Sequence, residues 1–183
     1  MKKPEFGLLG YALLGLLHDN PSSGYALRKV VALTPMSSFS DSPGAIYPAL
    51  RRLRKAGLIR GRLEKSSGLR RRQVFHLTPA GIRELKQWLA LPPSRDEVMR
   101  RMDELSLRFA FMDQVMGKNA SVQFLRAMER ELEAYVPSLH EYLAAAKSQM
   151  PLSARLALES GVRGYETQLR WTREALAAYE KHK

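Results

Sequence analysis

The chain has 183 residues, no cysteine and a formal net charge of +12; this leaves room for one or two small domains with a real core and excludes a disulfide framework or a thiolate metal site. The charge is unevenly placed, residues 1–91 carrying 16 Lys and Arg against 5 Asp and Glu while residues 92–183 carry 14 against 13. A strongly basic half joined to a nearly neutral one is the electrostatic pattern of a nucleic-acid-binding domain with a separate partner domain.

At the N-terminus, Met1-Lys2-Lys3 and the apolar run Phe6 to Leu17 imitate a secretory signal. That run of twelve residues is too short for a bilayer, which needs about 20. Asp19-Asn20-Pro21 follows where small residues would mark a cleavage site. A buried first helix is expected instead, with Leu9, Ala12, Leu13, Leu16 and Leu17 on one face and Leu8, Tyr11 and Leu14 on a second apolar strip. A helix apolar on all sides needs neighbours on all sides, which points to a dimer contact. The next segment, Ser22 to Leu33, begins with Ser22 or Ser23 as a cap, places Leu27, Val30 and Val31 on one face and ends at Thr34-Pro35.

Ser42 to Ile59 reads as a helix with two unlike faces. Ile46, Ala49, Leu50 and Leu53 recur at helical spacing and form an inner face. Gly44, Tyr47, Pro48, Arg51, Arg54 and Lys55 lie outside, with Arg52 at the border. Asp41 or Ser42 caps the helix, Pro43 suits its opening turn, and Gly57 supplies the left-handed residue beyond its end. Pro48 is costly in a helix interior, about 3 kcal/mol. Residues 58–64 then alternate Ile59, Gly61 and Leu63 inward against Arg60, Arg62 and Glu64; 65–72 form a charged turn, and 73–77 a second strand. Helix followed by basic hairpin is the order of a winged helix.

Thr78 caps a fourth helix with Pro79 in its first turn, Ile82, Leu85 and Leu89 on its inner face and Trp88 beside them. Ala90 to Pro93 break the pattern, giving a boundary between domains 1–91 and 92–183. Beyond it, Ser94 and Glu97 have capping-box spacing. Three apolar seams follow at three-and-four spacing: Val98, Met102, Leu105, Phe109, Met112 and Met116; then Leu125 to Ala146, interrupted by Pro137; then Leu158 to Tyr179. Such seams specify coiled-coil-like packing, within one chain or shared between two. Their methionines and aromatics suit core filling or the wall of a small-molecule pocket. The fold class expected is mainly α: three helices, a two-stranded wing and a fourth helix, followed by an all-α dimerisation domain. His18, His76, His140 and His182 lie far apart, and no catalytic, metal or cofactor motif is present. A cytoplasmic protein without a membrane span is expected.

The segments LLGYALLGLL, SSGYALRK, SPGAIYPALRRLRKAGLI and RRRQVFHLTPAG together resemble the PadR family of bacterial transcriptional regulators; the second half is similar in kind but carries no specific motif. The resemblance implies a homodimer of winged helices on a two-fold DNA operator, usually repression, and in several branches release by a small-molecule effector. It implies reading-helix contacts at Ser42, Ala45, Tyr47, Pro48, Arg51 and Arg52, and wing contacts at Arg70, Arg71 and Arg72, to which Lys65 is added for its charge. Tyr25 matches a position near the DNA backbone, with a core tyrosine as the alternative. Trp88, Phe109 and Trp171 are the candidates for an effector pocket. A rival reading is a basic winged helix that binds an acidic protein partner without an operator.

Overall fold

The apolar run at the N-terminus becomes a helix, α1 (Gly7–Asp19), in which Tyr11, Ala12, Leu13, Leu14 and Leu17 are buried. The computed structural model describes residues 5–39, 42–65 and 71–181, and the chain divides into two compact units, Met1–Leu91 and Pro92–Lys183. Within the first unit α1 is the central post. Packed around it are α3 (Pro43–Lys55), α4 (Pro79–Leu89) and the strand β3 (Arg71–Leu77). The second apolar strip at Tyr11 and Leu14 is therefore covered by the unit itself, and the dimer contact expected there is not needed to bury it. Burying side chains of this size contributes roughly 1.5–3 kcal/mol each.

The first unit runs α1, β1 (Ser22–Ser23), α2 (Gly24–Ala32), a 3-10 turn at Pro35–Phe39, α3, β2 (Ile59–Lys65), β3 and α4. Ser23 caps α2, its hydroxyl accepting from the Ala26 amide at 3.2 Å. Leu27 and Val31, four residues apart, face inward, whereas Val30 is exposed and does not share their face. The sheet has three strands, all antiparallel, in the order β1-β3-β2. The third is the two-serine strand, pairing Ser22 with Phe75 and Ser23 with Val74, where a two-stranded wing was expected. Register in the hairpin runs from Ile59 opposite Leu77 to Lys65 opposite Arg71. Ile59 is buried at its base, but Leu63 is 69% exposed: the hairpin has left the core by that point, so the inward alternation expected of Leu63 does not hold.

Thr78 joins this wing to α4. Its hydroxyl accepts from the Gly81 amide at 3.1 Å and donates to the Gly57 carbonyl at 2.7 Å, so one side chain caps one helix and ties off the end of another. Gly81 is required there, because an added Cβ would lie 2.2 Å from the Leu58 carbonyl oxygen.

The second unit is helical throughout: α5 (Arg95–Arg100), α6 (Met102–Met116), α7 (Lys118–Ala146) and α8 (Leu152–Lys181). Ser94 and Glu97 form a complete capping box. The seam from Val98 to Met116 crosses a break, since Arg101 (φ −142, ψ 42) separates α5 from α6. Gly117, at φ +86, turns the chain into α7. Helix α7 continues through Pro137 and pairs antiparallel with α8. Glu129 and Glu133 meet Arg173 at 3.2 and 2.6 Å, while the later His140 meets the earlier Glu166 at 2.8 Å. Leu125, Met128 and Leu132 are buried along that seam, as is Val162 on α8.

Candidate nucleic-acid interface

Helix α3 is built from its two faces. Ile46, Ala49, Leu50 and Leu53 are each no more than 1% exposed, and their burial outweighs the roughly 3 kcal/mol that Pro48 costs inside the helix. That sealed face fixes the other one outward. Ser42, in extended conformation, is the N-cap with Pro43 in the first turn, and it is exposed. Beyond it Ala45 and Pro48 are half-buried, while Arg51, Arg52, Arg54 and Lys55 are exposed. No acidic side chain lies between Pro43 and Lys55.

Tyr47 is 42% exposed, and its ring lies against the start of α2. A Cβ at Gly24 would fall 2.7 Å from Tyr47 Cε1, so the glycine makes the space that seats the ring and leaves part of it on the surface. Tyr25, on α2, is 66% exposed and is not a core tyrosine. The Arg28 guanidinium stands 5.9 Å from its ring centroid, a cation–π distance. Arg60 and Arg62 of β2 and Arg72 of β3 are exposed. Arg70 lies outside the described residues, as do the side chains of Lys65 and Arg71, whose backbones pair across the hairpin.

Between α3 and β3 runs a cleft of about 200 Å³ lined by Tyr47, Leu50, Arg51, Arg54, Gln73 and Phe75. Arg54 and Gln73 were not among the site residues inferred from sequence. For Arg54 the signal was present, since Tyr47, Arg51 and Arg54 fall at i, i+4 and i+7 on one strip of a helix. Gln73 becomes visible only once the register of β3 against α3 is known.

The three effector-pocket candidates are divided between the two units, Trp88 in the first and Phe109 and Trp171 in the second. Trp88 is core of the first unit, 5% exposed and stacked on Tyr11 with ring centroids 4.5 Å apart. The hydroxyl of Tyr11 in turn donates to Glu84 at 2.7 Å. This corrects the assignment of Trp88 to a pocket wall: its ring is already occupied. Phe109 and Trp171 do meet, edge to face at 5.5 Å, and line an open groove of about 360 Å³ with Ser106, Ala110, Thr167 and Gln168. Among the described residues no group of three His, Asp or Glu side chains could hold a metal ion, and no helix is long and apolar enough to cross a membrane.

Residues 13–87 match the model of the transcriptional regulator PadR-like family. The negative transcriptional regulator PadR of Bacillus subtilis (strain 168) is 26% identical over 182 residues, an alignment spanning 95% of this chain and 98% of that protein. Two solved structures of Bacillus subtilis PadR are similar at 21% identity. The complex with operator DNA has a TM-score of 0.44, covering 93% of this chain and 98% of that one. The complex with p-coumaric acid has a TM-score of 0.43, covering 94% and 99%. Helix α3, the wing and nearly all of α4 lie inside the matched segment, so residues 13–87 carry a PadR-like transcriptional regulator domain.

Proposed function

We propose that this regulator binds a two-fold symmetric operator in double-stranded DNA as a homodimer, as a repressor acting in the cytoplasm. The observation that carries the reading is the division of α3: one face closed to solvent, the other presenting Tyr47, Arg51 and Arg52. A helix so held has the dimensions and chemistry to enter a major groove, where a bidentate arginine distinguishes guanine. Ser42, Ala45 and Pro48 lie on the same helix as its shorter contacts. Tyr25, Lys65 and Arg70 to Arg72 would grip phosphates to either side, adding affinity with little sequence information. Repression is favoured by the name of the Bacillus subtilis relative, a negative regulator.

A second copy is supported by apolar surface that the second unit leaves open. Leu152, Leu156, Tyr142 and Trp171 are all exposed, and of the 30 residues of α8 only Val162 and Thr172 are buried. The groove at Phe109 and Trp171, with no charged side chain in its lining, suits a flat, uncharged effector face. The test is titration of the full chain against a selected duplex and a scrambled one. Preference for the selected duplex that is lost in Arg51→Ala with Arg52→Ala supports the reading. Equal binding to both duplexes, with tight binding to an acidic protein, would favour the interaction-module reading instead.

A further inference from the structure

The cleft between α3 and β3 shares Tyr47 and Arg51 with the DNA contacts assigned so far, whereas Arg54 and Gln73 have no part in them. Its floor is apolar, Leu50 and Phe75 being nearly buried. Its remaining lining comes from four residues with polar end groups, Tyr47, Arg51, Arg54 and Gln73. Tyr47, Arg51 and Arg54 form a single strip of α3, while Gln73 and Phe75 share one side of β3 because strand side chains alternate. Gln73 is seated by a second feature. A Cβ at Gly61 would fall 2.7 Å from Gln73 Nε2, so the glycine on the neighbouring strand vacates the space in which the carboxamide lies.

Two arginines, a phenol and an amide, with no carboxylate in the lining, make a site rich in donors and positive charge. A base edge mixes donors and acceptors, whereas an oxyanion asks for donors alone. We propose that this cleft seats one phosphodiester of the DNA backbone, with Arg54 and Gln73 as positioning residues that set the depth and register of α3 in the groove. The inference rests on the operator-binding reading above. On it, Arg51 stands on the wall shared by the phosphate seat and the reading face, and Arg54 contributes affinity without base preference.

The test uses the full chain, as wild type and as Arg54→Ala, Arg54→Lys and Gln73→Ala, on a duplex recovered by site selection. A methylphosphonate, which removes one backbone charge, is placed at each position in turn. At one position per half-site the wild type should lose affinity and Arg54→Ala should lose less, Tyr47, Arg51 and Gln73 still facing that phosphate. Arg54→Ala should also flatten the slope of log affinity against log salt by about 0.9 per protomer, with Arg54→Lys restoring it. Gln73→Ala should weaken selected and scrambled duplexes by the same factor. If the effects of Arg54→Ala and of methylphosphonate add at every position, or if Arg54→Ala changes the preferred base at any position, the phosphate seat is wrong. A wild type that prefers no duplex over a scrambled one removes the operator-binding reading and the seat together; a selective wild type indistinguishable from Arg54→Ala removes the seat alone.

Discussion

Arg108 and Glu97 are both fully buried, and Arg108 Nη1 donates to Glu97 Oε1 at 3.1 Å. The guanidinium also stands 5.0 Å from the Phe124 ring centroid, while Nε and Nη2 have no hydrogen-bond partner among the described residues. Burial draws the Arg108 pKa below the ordinary arginine value, against the pull of Glu97. A pair so placed contributes little net stability but is expensive to break from one side. Glu97→Ala strands a buried cation and also removes the capping box with Ser94; it should cost about 3–5 kcal/mol by urea denaturation. Arg108→Met should cost less, because the methionine refills the space and Glu97 keeps the Ser94 amide and hydroxyl at 2.9 and 2.8 Å. On the reading face the effect moves to specificity. Arg51→Ala or Arg52→Ala should leave the melting temperature unchanged and relax discrimination at one base pair by about 1–3 kcal/mol, measured by competition between single-substituted duplexes.

At the scale of elements, the wing and the turn behind it make separate predictions. Replacing Arg70, Arg71 and Arg72 by alanine should flatten the salt dependence of DNA binding by roughly 0.9 in slope for each phosphate no longer neutralised; an unchanged slope would mean that the wing stands clear of the backbone. Gly81→Ala, with its methyl driven onto the Leu58 carbonyl, should lower stability by about 1–3 kcal/mol, visible as an earlier urea midpoint. Helix α3 was legible in the sequence because Ile46, Ala49, Leu50 and Leu53 keep helical period and Gly57 ends it at φ +72. Strand β1 was not, since two serines carry neither β-branched bulk nor alternation, and they pair only because β3 offers them a free edge. The break at Arg101 was hidden because the spacing of Val98, Met102 and Leu105 runs unaltered across it. Trp88 was misplaced for a similar reason: aromatic content says nothing about which partner stacks on a ring, and Tyr11 lies 77 residues away in the chain.

At the scale of the whole molecule, a basic unit is joined to a nearly neutral one. If the exposed leucines of α8 lie in the shared seam, Leu152→Glu with Leu156→Glu should give monomers by sedimentation while leaving the helix content of each chain intact. Such monomers should retain weak, salt-sensitive affinity for any duplex and lose selectivity for the full site, because one half-site carries only part of the discrimination. The direct test of operator binding is selection of the intact protein's binding sites from random duplex DNA. The expected product is an inverted repeat whose half-site centres lie one helical turn apart, about 10–10.5 base pairs, or a multiple of it. Enrichment of no sequence, or of a single asymmetric site, would contradict two-fold operator binding.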